Sequence, residues 1–145
     1  MFRHILIPTD GSNLSTRAVE RGIEVAKGIG AKVTAVHVGT PFHVLAANAE
    51  ALTDTREDYD RHMKRKGRQI LAAIEKSAKE NGVRCDSAFV SSEQPYEAII
   101  KTAKNKECDL ILMASHGRKG VKGFLLGSET QKVLTHSSIP VLVYR

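Results

Sequence analysis

The chain has 145 residues, 41% hydrophobic and 26% charged, an ordinary balance for one water-soluble folded domain with a sizeable core. No apolar run approaches the roughly 20 residues that cross a bilayer. The opening Met1–Pro8 segment lacks the long apolar region and cleavage site of a secretory signal, so the composition argues against a membrane or secreted protein and the cytoplasm is expected. The net charge of +6 suits polyanions, nucleotides and nucleic acids alike, without choosing between them.

In chain order, His4–Pro8 is a short apolar run with β-branched residues and reads as a strand. Asn13–Lys27 carries Ala18, Gly22, Val25 and Ala26 at helical spacing, with Ser12 or Asn13 as cap and Gly28 to Gly30 as stop. Lys32–Val38 is a second strand. Thr40–Thr53 is an apolar, proline-containing connector, read either as a lid or dimer surface or as an extension of the next helix. Asp54–Glu80 is a long amphipathic helix ended by Asn81 and Gly82, and Val83–Val90 alternates as an edge strand does. Pro95–Asn105 is a short helix with proline at its start. Asp109–Met113 is the most apolar strand and is expected to be central, Phe124–His136 is a helix, and Pro140–Tyr144 is the last strand. This alternation predicts an α/β fold: a doubly wound parallel sheet with helices on both faces, binding ligands outside the carboxyl ends of its strands. The expectation is a single domain over 1–145.

The stretch richest in chemistry is Met113–Gly117, followed ten residues later by Gly127 and Ser128. A buried strand opening into a glycine-bearing loop and then a helix can hold phosphate, through converging amides and the positive end of the helix. The spacing is neither that of a Walker A loop nor that of a dinucleotide-binding strand–turn–helix. Thr9–Ser12 ends the first strand as Ser115–Gly117 ends the fourth. Neighbouring first and fourth strands would turn both loops into one crevice.

Ile5–Ser12, Val36–Val38, Met113–Gly117, Leu125–Ser128 and Ile139–Val143 together resemble the universal stress protein family, from the first strand to the last. The resemblance implies a five-stranded sheet of order 3-2-1-4-5 in an adenine nucleotide alpha hydrolase-like fold. It also implies a nucleotide-binding subgroup marked by G-x2-G-x9-G-[ST], with ATP, and Mg²⁺ beside its phosphates, as cofactor. Gly117, Gly127 and Ser128 match that spacing, and Ala114 stands at the first glycine. A positive φ there would be costly for alanine, whereas an ordinary φ would tolerate it. The match puts Pro8, Thr9 and Val38 on the base and sugar side and Met113 against the nucleoside. The amides of Gly117, Gly127, Ser128 and Glu129 ring the phosphates, and Ala114, His116 and Thr130 complete the set. Asp10 binds a ribose hydroxyl or metal, or else caps the first helix or shapes the turn with Gly11; Ser128 binds phosphate or caps its helix. The resemblance further implies a homodimer that pairs residues 139–144 across a two-fold axis, with a stress-linked regulatory or protective role and an unknown protein partner.

Other features read more plainly. Cys85 and Cys108 lack metal-ligand spacing and read as free thiols. The basic run Arg61–Arg68 reads as a solvated helix face and, without interleaved aromatics, makes nucleic acid an unlikely partner. His37 reads as structural, and no histidine pair has ligand spacing. Arg118, Lys119 and Lys122 flank the phosphate loop. His116 has no carboxylate fixed beside it by sequence, so fast catalysis is not expected. Two rival readings are a slow nucleotide hydrolase or transferase using His116 or Asp10, and a nucleotide-free interaction module in which Ala114 has spoiled the site.

Overall fold

A computed structural model describes residues 1–48, 55–117 and 125–145. Five strands, β1 (His4–Pro8), β2 (Lys32–Gly39), β3 (Cys85–Ser91), β4 (Leu110–Ala114) and β5 (Val141–Tyr144), form one parallel sheet of order β3-β2-β1-β4-β5. Around it lie α1 (Asn13–Ile29), α2 (Phe42–Asn48), α3 (Arg56–Glu80), α4 (Pro95–Asn105) and α5 (Ser128–His136). The doubly wound parallel architecture and the 3-2-1-4-5 order are those expected, with β3 at one edge. The central place belongs to β1, third of the five strands, and not to β4 as expected; β4 is interior beside it.

Side-chain alternation along β1 divides the core in two. Ile5 and Ile7 pack with Val19, Ile23, Leu71 and Ile74, beneath α1 and α3. Leu6 packs with Ile99, Ile111, Met113 and Val133, beneath α4 and α5. All ten residues of β1 and β4 are buried, which a strand covered on both faces requires. Two glycines set the closeness of the helices: a Cβ on Gly22 would run into Ile7, and one on Gly67 would stand 2.5 Å from the Phe89 ring.

The helix ends follow local chemistry. Ser12 accepts from the Ser15 amide at 3.3 Å to start α1, and Gly30, at φ 70°, closes it after Ile29, two residues beyond the expected Lys27. Thr55 caps α3 in extended conformation, so α2 is a separate helix and the extension reading of the connector is corrected. The Phe42 and Tyr59 rings lie 5.5 Å apart and join α2 to α3. The last helix begins later than expected. Leu125 to Gly127 are not helical, and Gly127 is the extended N-cap (φ −60°, ψ 151°). A glycine there stops the helix from propagating backwards. Phe124, Arg118, Lys119, Lys122, Asp54 and the end of the 40–53 connector lie outside the described residues.

Candidate functional site

Because β1 and β4 are neighbours, the loops after Pro8 and Ala114 open on the same edge of the sheet, beside the start of α5. Between them is a cavity of about 440 Å³, in the range of small-molecule sites. Every one of the twelve residues named from sequence lines it: Pro8, Thr9 and Asp10 at the end of β1, Val38 on β2, Met113, Ala114, His116 and Gly117 in the stretch from the end of β4, and Gly127 to Thr130 at the start of α5. Ser115, within that stretch, is behind the wall. Sequence reasoning missed Ser15, Val36, Thr40, Pro95 and Ile99, which also line it. Val36 was findable, two residues from Val38 on one strand face, and Pro95 and Ile99 share one helix face. Only the packing of α4 over β2 brings the last two to the cavity.

The β1 side is a tight turn. The last rung of the β1–β2 ladder is the Thr9 amide donating to the Val36 carbonyl at 2.9 Å. The buried Thr9 hydroxyl bonds Ser15 Oγ at 3.1 Å and accepts from the Gly11 amide at 3.2 Å. His37 Nδ1 lies 2.9 Å from the Thr9 carbonyl; a carbonyl only accepts, so Nδ1 carries the proton. Gly11 turns the chain at φ 76°. Asp10 Oδ1 accepts from the Ser12 amide at 2.9 Å, realising the turn-shaping role foreseen for it. Its Oδ2 lies against Gly117, where a Cβ would collide with it.

On the β4 side, Ala114 is the last strand residue and has no positive φ, so its methyl group meets no backbone penalty. Its carbonyl accepts from the Thr130 hydroxyl at 3.0 Å, which ties β4 to α5. Gly127 donates to the Ser115 carbonyl at 2.8 Å, and a Cβ on Gly127 would stand 3.0 Å from His116 Cα. Ser115 Oγ is 3.2 Å from His116 Nδ1.

Gly127 has no side chain with which to cap α5, so the cap role foreseen for Ser128 is corrected: Ser128 is the first helical residue. The amides of Ser128, Glu129 and Thr130 thus begin an α-helix without a side-chain cap, at the cavity wall. Such a terminus carries a partial positive charge and attracts anions. The Glu129 carboxylate turns away, its Oε2 accepting from the Tyr96 amide at 2.9 Å at the start of α4, whose own N-cap Gln94 makes no side-chain bond.

Residues 1–145 match the model of the universal stress protein family. The chain belongs to the universal stress protein family. It is 33% identical to universal stress protein MJ0531 of Methanocaldococcus jannaschii, over the whole of this chain and 83% of that protein. The solved structure of MJ0577, from the same archaeon, superposes with a TM-score of 0.83 at 26% identity, covering 99% of this chain and 95% of that one. A universal stress protein solved in complex with cAMP superposes with a TM-score of 0.72 at 24% identity, covering 99% and 97%. The sheet order described above is that of the family's fold. Ala114, expected at the first motif position, is the last residue of β4.

Proposed function

We propose that this chain binds an adenine nucleotide, ATP, in the cavity between the ends of β1 and β4. One observation carries the reading: among the described residues, the cavity joins an uncapped helix start at α5 to an open main-chain edge at Val38. In the parallel ladder the next rungs after Val36 would run from the Val38 amide to the Thr9 carbonyl and from the Gly11 amide to the Val38 carbonyl. Both partners are engaged elsewhere, Thr9 O with His37 and Gly11 N with Thr9 Oγ1. Val38 therefore offers an adjacent donor and acceptor, which complement N1 and the N6 amino group of adenine. Met113 and Ile99 supply apolar surface for the base, and the α5 amides with Gly117 face the phosphates. The relative in complex with cAMP supports an adenine ligand. Asp10 is the carboxylate at the phosphate end, and one carboxylate plus phosphate oxygens suits Mg²⁺.

In this reading the whole chain, 1–145, works as one cytoplasmic domain with a regulatory or protective role under stress. The edge strand β5, with Leu142 exposed, pairs with its copy in a homodimer. Turnover is slow, because the His116 ring is engaged by Ser115 and not oriented by a carboxylate among the described residues.

The test is nucleotide content. Protein purified without added ligand is denatured and the released nucleotides are quantified by chromatography with mass detection. Near-stoichiometric ATP supports the reading. Protein that is empty, and that binds no ATP with Mg²⁺ in calorimetry, overturns it in favour of a nucleotide-free interaction module.

A further inference from the structure

We infer that His37 is the residue that keeps the base-reading edge open: it ends the β1–β2 ladder one rung early and so presents the Val38 amide to the ligand. This inference rests on the nucleotide reading above for its ligand, but its structural half stands without it.

The parallel register runs from His4↔Lys32 to Pro8↔Val36. Along it the even-numbered residues of β2 face β1, as the Lys32 amide on Arg3 O and the Thr9 amide on Val36 O show. Val38 is next on that side, and its natural acceptor is Thr9 O. His37 points to the opposite face of the strand from its neighbours, yet Nδ1 reaches Thr9 O at 2.9 Å. The imidazole thus substitutes for a main-chain donor. It satisfies the Thr9 carbonyl, which would otherwise draw the Val38 amide.

The imidazole is held in place by its surroundings. Its ring stacks on Phe89, with centroids 5.9 Å apart and planes at 26°. A Cβ on Gly67 of α3 would stand 3.0 Å from His37 Cδ2, so the helix backbone presses on the ring from that side. The glycine in mid-helix leaves room for the stacked Phe89 and His37 rings. His37 is a positioning residue: it touches the turn, and the turn and strand touch the base.

The consequence is specific to one ligand atom. If the Val38 amide is open, it donates to N1 of adenine, and an ATP analogue with carbon at that position loses a hydrogen bond. If a leucine replaces His37, the Thr9 carbonyl recruits the Val38 amide and N1 loses its donor whatever the ligand.

The experiment measures the Kd of ATP and of 1-deaza-ATP for the wild type, His37→Leu and His37→Asn. Asparagine can place an amide N–H close to the Nδ1 position. The wild type is expected to prefer ATP by about tenfold, the worth of one hydrogen bond. His37→Leu is expected to lose that preference, and His37→Asn to keep most of it. A general loss of packing weakens both ligands equally and leaves the ratio intact, so an unchanged ratio in His37→Leu overturns the inference. Amide hydrogen exchange on the ligand-free wild type tests the structural half: the Val38 amide should exchange much faster than that of Val36. A protected Val38 amide overturns the inference even if His37→Leu does not fold. A wild type that binds no ATP overturns the nucleotide reading instead, and the exchange result then decides the role of His37.

Discussion

Thr130 Oγ1 donates to the carbonyl of Ala114 across 3.0 Å, with both residues buried. The bond fixes the start of α5 against the end of β4, so the helix terminus and the strand-end loop face the cavity as one rigid edge. Thr130→Val keeps the shape and removes the donor, leaving a buried carbonyl without that partner. The expected cost is about 1–3 kcal/mol, read from urea denaturation, with ATP affinity falling as well. Unchanged stability would mean that water replaces the hydroxyl.

Ala114, where the motif spacing expected a glycine, has ordinary strand backbone. Ala114→Gly should therefore change ATP affinity by less than about threefold and lower stability by roughly 0.5–1 kcal/mol, the entropic cost of glycine in a strand. Calorimetry decides the matter. A large gain in affinity would show that the methyl group obstructs the ligand.

Gly67 lies in the middle of α3, where propensity alone makes alanine better by about 1 kcal/mol. The Phe89 ring stands 2.5 Å from where the new Cβ would be. Gly67→Ala should thus destabilise the fold by about 1–3 kcal/mol, as over-packing does. Stabilisation in a denaturant titration would show that the helix can lift away from the sheet.

His4 is buried, with Nε2 2.8 Å from Thr34 Oγ1. Burial, reinforced by the nearby Lys32 charge, holds its pKa below the ordinary value of 6.5. Below about pH 6.5 the unfolded chain takes up a proton that the folded chain resists, so the folded state loses stability as the pH falls and none is lost above. His4→Gln should flatten the decline between pH 7.5 and about pH 5. An equally steep decline in the variant would place the proton uptake on other groups.

Burial pushes both thiols up to about 11, Cys85 and Cys108 alike. At pH 8 each should react with a maleimide far more slowly than the same cysteine in urea, because the thiolate is the nucleophile. Mass spectrometry of a timed quench measures this. Rapid native labelling of Cys108 would mean that the base of β4 opens readily.

Much of this protein was decided locally. Continuous apolar runs gave β1 and β4 and alternation gave β3, Ser12 and Gly30 bounded the first helix, and the loops after Pro8 and Ala114 pointed to the candidate site, because strand patterns, caps and glycine spacings are properties of neighbouring residues. Where local signals misled, a longer contact had won. The α5 start moved to Ser128 because Gly127 packs its bare Cα on His116. Ala114 takes an ordinary strand backbone because it pairs with Tyr144 of β5. Only the tertiary structure could bring Pro95 and Ile99 of α4 to the cavity, turn the Glu129 carboxylate onto Tyr96, and set His37 on the Thr9 carbonyl. These are meetings between residues distant in sequence, fixed by sheet order and helix packing, for which no spacing along the chain carries a signal.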